Sequence, residues 1–362
     1  MAKVVTSTVV LDEYIAKVSQ AFDYTFDGVS QFQTWGKPEV PADFNIGLIV
    51  GASGTGKTLL LKEFGHETYP GWHSNKAIVS HFATPNDAVD RLMGVGLSSI
   101  PVWVKPYHVL SNGEKFRADM ARKLGDNAVI DEFTSVVDRN VAKSACAGIS
   151  RLVKQRDWKG IVFASCHFDI VSWLCPDWVF DTNTGQITVG RFLRRPEIQL
   201  DIYPANKELW KLFGKHHYLN TELNKAARCY LGVAHIDDQE CVVCWAAILS
   251  LPSGTVKNSW REHRVVVLPD FQGLGMGVRF SDAIGQMFVD EGKRYFSRTS
   301  HPKMGQYRNK SSLWRATSSN NKHTSKHGGQ FHHMPINMRV GYSHEYIGEK
   351  QIQAKVCEPC IS

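Results

Sequence analysis

A glycine-rich loop follows a short apolar run near residue 50, where the sequence reads Ile46-Gly-Leu-Ile-Val50-Gly51-Ala-Ser-Gly-Thr-Gly56-Lys57-Thr58-Leu-Leu-Leu-Lys-Glu-Phe64. The apolar run predicts a buried strand, and the residues after Thr58 predict a helix. The loop matches G-x-x-x-x-G-K-[ST] in the strand–loop–helix context that a phosphate-binding loop requires. Glycines let backbone N–H groups surround phosphate oxygens, and the helix N-terminus adds positive potential. We therefore expect the first half of the chain to bind a nucleoside triphosphate.

The phosphate site would be formed by seven residues of this loop: Gly51, Ser53, Gly54, Thr55, Gly56, Lys57 and Thr58. Lys57 would reach the β- and γ-phosphates, and Thr58 would bind Mg²⁺. A second strand should supply carboxylates, and residues 127–132 form a short apolar run that ends in two acids. We expect Asp131 to hold Mg²⁺ through water and Glu132 to polarise the attacking water as general base.

A helix start lies between these two elements, in the sequence Leu110-Ser111-Asn-Gly113-Glu114-Lys115. Ser111 and Glu114 have the spacing of a capping box, which predicts a helix over 115–124. The same residues resemble the signature motif of ABC-type ATPases, usually Leu-Ser-Gly-Gly-Gln, with Asn112 and Glu114 as departures. The resemblance implies that Ser111, Gly113 and Glu114 contact ATP across a dimer.

Two further motifs follow in the order found in ABC-type ATPases. Ser135-Val-Val-Asp138 resembles the D-loop, and Ser165-Cys-His167 at the end of an apolar strand resembles the switch-histidine loop. The resemblance implies roles for Asp138 at the nucleotide and for His167 in catalysis. It also implies a homodimer that encloses two ATP molecules, with Lys57 of one copy facing Ser111 of the other.

Other features of the first half depart from this family. No glutamine occurs between Thr58 and Leu110, so the usual Q-loop ligand is missing, and His81 lies nearest to its place. The resemblance also implies an adenine-stacking aromatic residue before the loop, for which four candidates remain open: Tyr24, Phe26, Phe32 and Trp35. Only 54 positions separate Lys57 from Ser111. This spacing leaves a small helical subdomain, excludes a long coiled-coil insertion and disfavours a transporter subunit.

The second half contains another strand, glycine turn and helix. Arg264-Val-Val-Val-Leu-Pro269 is followed by Gln272-Gly273-Leu-Gly275-Met-Gly277 and an apolar-periodic helix over 278–290. The turn offers successive N–H donors to a pyrophosphate but has no lysine for a γ-phosphate, and it lacks the G-x-G-x-x-G spacing of the dinucleotide fold. The segment resembles motif A of GNAT-type acetyltransferases.

This resemblance implies that acetyl-CoA, or another acyl-CoA, is the cofactor. Gln272, Gly273, Gly275 and Gly277 would bind its pyrophosphate, and Val265 and Val267 would line its pantetheine arm. The following strand, over 294–300, would diverge to admit the cofactor. Many family members carry a tyrosine that protonates the CoA thiolate, but Trp314 occupies that place and has no acidic proton to give. Tyr307 or Tyr218 are the alternative acids, and His217 or His301 the alternative bases.

The positive charge is concentrated in the second half. Residues 293–344 contain no Asp or Glu, six histidines and ten basic side chains: Lys293, Arg294, Arg298, Lys303, Arg308, Lys310, Arg315, Lys322, Lys326 and Arg339. Such density attracts phosphate chains, which predicts contact with nucleic acid through Lys293–His344. A solvated basic face, or a site for an anionic cofactor only, is the alternative. A faint resemblance to Mom-type DNA modification enzymes of phages, through His217-Tyr218-Leu219 and the motif A arm, fits contact with nucleic acid.

Composition limits the class of protein to which this chain can belong. The 362 residues are 43% apolar and 21% charged, with a net charge of +7, as in an ordinary folded protein rather than a disordered one. No apolar run reaches bilayer length and no signal-like segment follows Met1, so we expect no membrane association and a cytoplasmic protein, bacterial or in the cytosol of a phage-infected host. Two Cys-x-x-Cys pairs raise zinc binding, but Cys241 and Cys244 lie in a predicted strand whose positions i and i+3 face opposite ways.

These features together predict an α/β protein with a P-loop ABC-type ATPase domain over 1–195 and a GNAT-like α+β acyltransferase domain over 196–362. A similar fusion of a soluble ABC-type ATPase with a GNAT domain occurs in archaeal and phage proteins. The predicted function is an ATP-hydrolysing module coupled to an N-acyltransferase that modifies a nucleic-acid base or another nucleic-acid amine. Two alternatives remain: a nucleic-acid-binding ATPase with an inactive GNAT domain, and an ATP-regulated protein N-acetyltransferase.

Overall fold

The computed structural model describes residues 2–190, 198–217, 222–236, 239–251, 256–324 and 339–348. Contacts divide the chain into two compact units, Met1–Pro196 and Glu197–Ser362. Each unit has its own sheet and its own hydrophobic core. The predicted fold class, an α/β P-loop ATPase fold followed by a GNAT-like α+β fold, is confirmed by the strand orders described below.

The first unit has a two-stranded antiparallel sheet and a five-stranded sheet with helices around it. Its elements are β1 (Ala2–Thr8), α1 (Glu13–Phe22), β2 (Val29–Trp35), β3 (Ile46–Val50), α2 (Lys57–Leu61), α3 (Pro85–Gly94), α4 (Ile100–Trp103), α5 (Asn112–Lys123), β4 (Val129–Ile130), α6 (Arg139–Arg156), β5 (Ile161–Ser165), α7 (Val171–Leu174), β6 (Trp178–Asp181) and β7 (Gln186–Val189).

The order of the large sheet is β4-β5-β3-β6-β7, with β4, β5, β3 and β6 parallel and β7 antiparallel at the edge. Strands β3 and β5 are buried over their whole length, which explains why they read as continuous apolar runs. Two predicted elements are shorter than expected. Helix α2 ends at Leu61, shortly before Gly65 at φ 148°, and strand β4 contains two residues.

The second unit is built on an eight-stranded sheet, and its two longest described helices have 15 and 9 residues. Its elements are β8 (Gln199–Pro204), α8 (Trp210–Phe213), β9 (Arg228–Ile236), β10 (Gln239–Ser250), β11 (Ser259–Val267), α9 (Met276–Asp290), β12 (Arg294–Thr299), α10 (Pro302–Lys310), β13 (Trp314–Ala316), β14 (Lys322–Thr324) and β15 (Arg339–Tyr346).

The sheet order is β13-β15-β12-β11-β10-β9-β8, and β14 also pairs with β15. All neighbours are antiparallel except β11 and β12, which are parallel. A register shift between Ala247 and Ile248 of β10 places a bulge in β11 at His263.

Of the first Cys-x-x-Cys pair, Cys244 is fully buried in β10, where burial raises the pKa of its thiol. Cys357 and Cys360, the second pair, lie outside the described residues.

Candidate functional site

The glycine loop of the first unit lies between β3 and α2, as the sequence predicts. Gly51 and Gly56 have φ values of 153° and 87°, in the region that favours glycine. A Cβ at Gly51 would lie 2.0 Å from the hydroxyl of Thr182, and one at Gly56 would lie 2.3 Å from the hydroxyl of Thr34. Both positions therefore require glycine for space as well as for conformation.

Lys57 is 8% exposed, and its ammonium donates a hydrogen bond to the carbonyl of Ala52 at 2.8 Å. The lysine thus bends back into the curve of the loop that carries it. A buried ammonium on a glycine-rich loop that leads into a helix is a donor set suited to a polyphosphate, so these residues fit the nucleotide that the motif implies. Thr58 is the second residue of α2 and is exposed, which leaves its hydroxyl accessible to a metal ion.

Two residues after β6 hold the loop, and sequence reasoning missed both. The hydroxyl of Thr182 donates to the carbonyl of Val50 at 3.0 Å and lies 2.6 Å from the hydroxyl of Thr55. The side-chain carbonyl of Asn183 accepts a hydrogen bond from the N–H of Ala52 at 3.2 Å. The available signal was a polar turn directly after a buried strand, at the same sheet edge as the loop.

The aromatic candidates before the loop occupy different places. The ring of Phe32 is 3.2 Å from where a Cβ of Gly56 would lie, and Phe32 is 38% exposed. Trp35 donates its indole N–H to the carbonyl of Thr182 at 2.8 Å and packs edge-on against Phe180. Tyr24 and Phe26 line a 350 Å³ groove beside α1. Phe32 is therefore the candidate that combines proximity to the loop with an accessible ring.

The two carboxylates follow β4, at the sheet edge where β3 and β5 also end. Glu132 has φ 47°, which is uncommon for a residue with a Cβ. Its Oε2 accepts a hydrogen bond from the hydroxyl of Ser135 at 2.6 Å. Asp131 uses Oδ1 to accept the N–H of Glu132 at 2.9 Å. This turn directs the chain out of the strand and fixes the Glu132 carboxylate next to the D-loop segment.

His167 follows β5 and is held by Thr134 and Ser165. The ring Nδ1 of His167 lies 3.1 Å from the hydroxyl of Thr134, and the backbone N–H of His167 donates to the hydroxyl oxygen of Ser165 at 3.1 Å. Ser165 in turn donates to the carbonyl of Phe133 at 2.8 Å. Burial, with the nearby positive charge of Arg139, lowers the pKa of His167, so the ring is neutral at neutral pH. Thr134, fully buried, was not predicted as part of this site.

The signature-like segment caps α5. The hydroxyl of Ser111 accepts the N–H of Glu114 at 3.4 Å, and the Glu114 carboxylate accepts the N–H of Ser111 at 2.8 Å. Gly113 lies in the first turn of the helix. Asp138 caps α6 in a similar way and accepts N–H bonds from Asn140 and Val141. Each of these polar residues therefore has a local structural role, and their contacts to a nucleotide in a second copy stay a prediction.

His81, the residue nearest to the missing Q-loop ligand, belongs to an aromatic cluster. It packs edge-on against Trp72, and its Nε2 accepts the N–H of His73 at 3.0 Å. The side chain that contacts Asp131 is instead Glu67, whose Oε2 accepts the Asp131 N–H at 3.2 Å. Sequence reasoning missed Glu67, because an isolated glutamate in a loop carries no motif.

In the second unit, β11 and β12 diverge as predicted. Their pairing is limited to the three partners Ser259–Arg294, Trp260–Tyr295 and Arg261–Phe296, although β11 continues to Val267 and β12 to Thr299. Beyond this point the facing backbone groups of the two strands do not pair with each other. The predicted pantetheine residues, Val265 and Val267, lie on the part of β11 that pairs with β10 but not with β12.

The glycine arm connects β11 to α9. Gly275 caps the helix at φ 82°, and a Cβ built on it meets nothing within 4 Å. Gln272 donates its side-chain amide to the carbonyl of Val267 at 3.1 Å, and Gly273 has φ 91°. A Cβ on Gly277 would lie 3.0 Å from the side chain of Val267. The first turn of a fifteen-residue helix, next to the open space at Gly275, fits the pyrophosphate of a CoA.

A buried polar network lies where the two strands separate. Arg308 is 1% exposed, and it donates to Glu262 at 2.8 Å and to Ser281 at 2.7 Å. Glu262 also accepts from the hydroxyls of Ser281 and Tyr295, and Arg308 also donates to Ser297. The network ties α9, α10, β11 and β12 together at this point. Burying a charge is favourable only when it is paired and hydrogen-bonded in this way.

The acid and base candidates of the second unit have partners of their own. Tyr307 donates its hydroxyl to Asp282 at 2.5 Å, and Trp314 donates its indole N–H to the other oxygen of Asp282 at 2.7 Å. Burial raises the pKa of both Asp282 and Tyr307. Tyr218 lies outside the described residues. Tyr307 is therefore a hydrogen-bonded tyrosine on α10, and its contact with a thiolate stays a prediction.

The two candidate histidines differ in their surroundings. Burial lowers the pKa of His217 to about 4, with further contributions from Arg264 and His263, and its ring lies 5.9 Å from that of Trp210. Burial also lowers the pKa of His301 to about 4, and its Nδ1 accepts the N–H of Met304 as the cap of α10. His301 thus has a structural role, whereas His217 is a neutral ring in a partly apolar site.

Carboxylates offset part of the basic stretch. Arg294 and Arg315 both bind Glu345, which immediately follows the stretch, each at 2.6 Å. Arg308 is paired with Glu262, and Lys293 with Glu291. Lys326 and the side chain of Arg339 lie outside the described part. The exposed basic residues of the described part of the stretch are Arg294 and Arg315, which share Glu345, and Arg298, Lys310 and Lys322. The polyanion footprint predicted for Lys293–His344 is therefore weaker than its count of basic residues indicates.

Comparison with known proteins gives matches at the level of structure. No family model matches the chain, and no curated protein matches it. A dimeric bacterial ABC transporter cassette is 13% identical and covers 50% of this chain and 94% of its own, at a TM-score of 0.32. An IAA acetyltransferase from Bacillus cereus ATCC 14579 is 13% identical and covers 41% of this chain and 99% of its own, at a TM-score of 0.28. An acetyltransferase from Bacillus subtilis, solved in complex with CoA, is 12% identical and covers 41% and 98%, at a TM-score of 0.27.

Solved structures of both fold types therefore match this chain, each over about half of its length. Among the described helices, none has the length and apolar content needed to cross a membrane.

Proposed function

We propose that the first unit binds and hydrolyses ATP with Mg²⁺ as a homodimeric ABC-type module. The observation that carries this proposal is the convergence of the glycine loop, Glu132 and His167 at the ends of three adjacent parallel strands, β3, β4 and β5. Bound Mg-ATP would supply a phosphoryl group for transfer to water. Thr58 and Asp131 would hold the metal, and Lys57 would neutralise phosphate charge.

Within this proposal, Glu132 accepts the proton of the attacking water at its free carboxylate oxygen. The neutral ring of His167 accepts a hydrogen bond from the Thr134 hydroxyl at Nδ1, which leaves Nε2–H as a donor toward the phosphate. Phe32 is the stacking surface for the base, because its accessible ring lies beside Gly56. Calorimetric titration with ATP tests the proposal: wild-type protein should bind, Lys57→Ala should not, and binding that survives Lys57→Ala would contradict the role of the loop.

We further propose that the second unit is an N-acyltransferase that uses acetyl-CoA or another acyl-CoA. The supporting observation is the combination of diverging strands β11 and β12 with the open glycine arm at Gly275. Bound acyl-CoA would supply an activated acyl group. The amine would attack the acyl carbon, and CoA would leave as its thiolate. Backbone N–H groups in the part of β11 that does not pair with β12 would stabilise negative charge on the acyl oxygen, and His217 or a water held by it would accept the proton of the amine.

The acceptor proposed here is an amine of a nucleic acid, because exposed basic residues remain at Arg298, Lys310 and Lys322. A protein amine is the second candidate, favoured by the ion pairs that neutralise four other basic residues. Mass spectrometry of bulk nucleic acid and protein, after expression of wild type and of Gly275→Glu, separates them. An acyl-type mass lost from nucleic acid supports the first acceptor, one lost from protein supports the second, and no loss from either contradicts the transferase proposal.

A further inference from the structure

Glu67 joins three parts of the first unit through one buried carboxylate. It lies in the loop after α2, and its side chain is 9% exposed. Its Oε1 accepts a hydrogen bond from the ammonium of Lys123 at 2.6 Å. Its Oε2 accepts one from the N–H of Asp131 at 3.2 Å and one from the hydroxyl of Tyr69 at 2.8 Å. The Lys123 ammonium also lies 4.5 Å from the centre of the Tyr69 ring.

The contact with Asp131 is made between the end of the β4–β5 ladder and the next backbone bond to β5, which Phe133 donates to Ala164. Strand β4 has two residues, Val129 and Ile130, and its ladder with β5 ends at Ile130. Asp131 is the first residue beyond the ladder, so Glu67 supplies the acceptor for its N–H in place of a strand. The position of the Asp131 side chain depends on that backbone, and therefore on Glu67.

The contact with Lys123 extends this arrangement to the signature-like helix. Lys123 is the last residue of α5, and Ser111 caps the first turn of the same helix. A helix of twelve residues is a stiff rod of about 18 Å. Its N-terminal end carries the residue that would face the nucleotide of a second copy. Its C-terminal residue, Lys123, donates to Glu67, which accepts the N–H of Asp131 in the same copy.

We propose that Glu67 is a positioning residue that fixes Asp131 for Mg²⁺ and couples it to α5 through Lys123. The proposal rests on the ATPase function proposed above. When the dimer forms and α5 is pulled toward the nucleotide of the other copy, the Lys123–Glu67–Asp131 connection carries that displacement to the magnesium ligand. The alternative is a structural ion pair that holds the end of α5 and has no effect on the metal site.

Glu67→Gln is the variant that separates these roles. Glutamine keeps the size but offers one acceptor oxygen to three donors, Lys123, Tyr69 and the Asp131 N–H, and its amide N–H₂ faces donors. Lys123→Met keeps the apolar stem and removes the ammonium. Glu63→Gln is the matched control, because Glu63 lies four residues before Glu67 and is an exposed partner of Lys3. Thermal unfolding of each full-length variant shows which ones fold.

Three measurements are made on each variant. ATP affinity in EDTA reports the loop alone and should be unchanged. Hydrogen exchange of a peptide that contains Asp131, without nucleotide, should be faster in Glu67→Gln than in wild type and Glu63→Gln. The Mg²⁺ concentration for half-maximal hydrolysis should rise ~10-fold in Glu67→Gln, as for other groups that orient a metal ligand, with the KM for ATP little changed. The double variant with Lys123→Met should lose no more than the larger single variant.

The outcomes separate the two proposals. Wild-type protein that binds no ATP would overturn both. Wild-type protein with Mg²⁺-dependent hydrolysis, combined with a Glu67→Gln variant whose Mg²⁺ dependence and Asp131 exchange match those of Glu63→Gln, would overturn the positioning role only. If Glu67→Gln fails to fold, Lys123→Met takes its place, and a normal Mg²⁺ dependence in that variant would equally overturn the coupling.

Discussion

The Oε2 atom of Glu132 accepts a hydrogen bond from the hydroxyl of Ser135 at 2.6 Å. Ser135 belongs to the segment that leads to Asp138 and α6, and Glu132 is the proposed general base. One lone pair of the base is therefore occupied by the segment that would approach a second copy. In this state Oε2 is held by Ser135, and Oε1 is the oxygen left to face the attacking water.

We predict that Ser135→Ala raises basal ATP hydrolysis by ~3-fold at protein concentrations where the dimer is scarce, since loss of this hydrogen bond lets the Glu132 carboxylate turn toward the attacking water. Phosphate release measured over a range of protein concentrations checks this. The excess should vanish when Glu132→Gln is added to the same chain. Equal or lower basal activity in Ser135→Ala would show that Ser135 supports the base rather than restrains it.

Thr182 should matter for nucleotide binding although it lies far from the loop in sequence. Its hydroxyl bonds the carbonyl of Val50 and contacts Thr55, so an isosteric Thr182→Val leaves the loop without this support. We expect ATP affinity to fall ~10-fold, the equivalent of about one buried hydrogen bond. Thr184→Val, at an exposed position two residues later, is the control. Equal affinities for the two variants would argue against a role for the β6 turn.

Gly275→Glu should abolish acetyl-CoA binding, because it places a carboxylate in the open space where the pyrophosphate is expected. Gly292, at the other end of α9, is a matched control. It also has a positive φ, 71°, and open space around a Cβ, so Gly292→Glu has a similar backbone cost of about 1 kcal/mol. Calorimetry should show loss of binding only in Gly275→Glu. Loss in both variants would indicate a general weakening of the unit, and loss in neither would remove the arm from the cofactor site.

The second unit should lose stability in mild acid. Burial lowers the pKa of His217, His263, His301 and His344 to about 4 each. The unfolded chain, with an ordinary value near 6.5, binds these protons first, so stability is complete above about pH 6.5 and falls as the pH drops toward 4. Each histidine contributes a slope of up to about 1.4 kcal/mol per pH unit. Urea unfolding at several pH values should give a shallower slope in His301→Gln, and a slope equal to wild type would refute its contribution.

Local patterns were sufficient to predict the glycine loop and the capping box at Ser111, which appear where their spacing places them. Both depend on residues close in sequence, so the sequence contains the whole pattern. The divergence of β11 and β12 was implied by the resemblance to GNAT-type acetyltransferases, and it begins after Arg261. The shortness of α2 and β4 was not predicted, because tertiary contacts rather than propensity decide where such short elements end.

The supporting residues could not be predicted for a different physical reason. Thr182 contacts Thr55 across 127 positions, and Glu67 contacts Asp131 across 64. A single threonine or glutamate in a polar turn has no periodicity or spacing that identifies its partner. The same holds for Arg308, whose positive charge in the sequence indicated a polyanion site and whose burial against Glu262 makes it part of the core. Charge counts cannot distinguish a surface arginine from a paired interior one.

The most direct test of the proposed ATP-dependent dimer is the state of association of the Glu132→Gln variant in the presence of ATP. The proposed composite site requires that a module unable to hydrolyse ATP remain closed on it. Light scattering after gel filtration should show Glu132→Gln as one copy without nucleotide and as two copies with Mg-ATP. Wild type should return to one copy as ATP is consumed. Phosphate release should fall ~100-fold or more in the variant. A Glu132→Gln protein that still hydrolyses ATP at the wild-type rate, or that stays a single copy with Mg-ATP bound, would contradict the account.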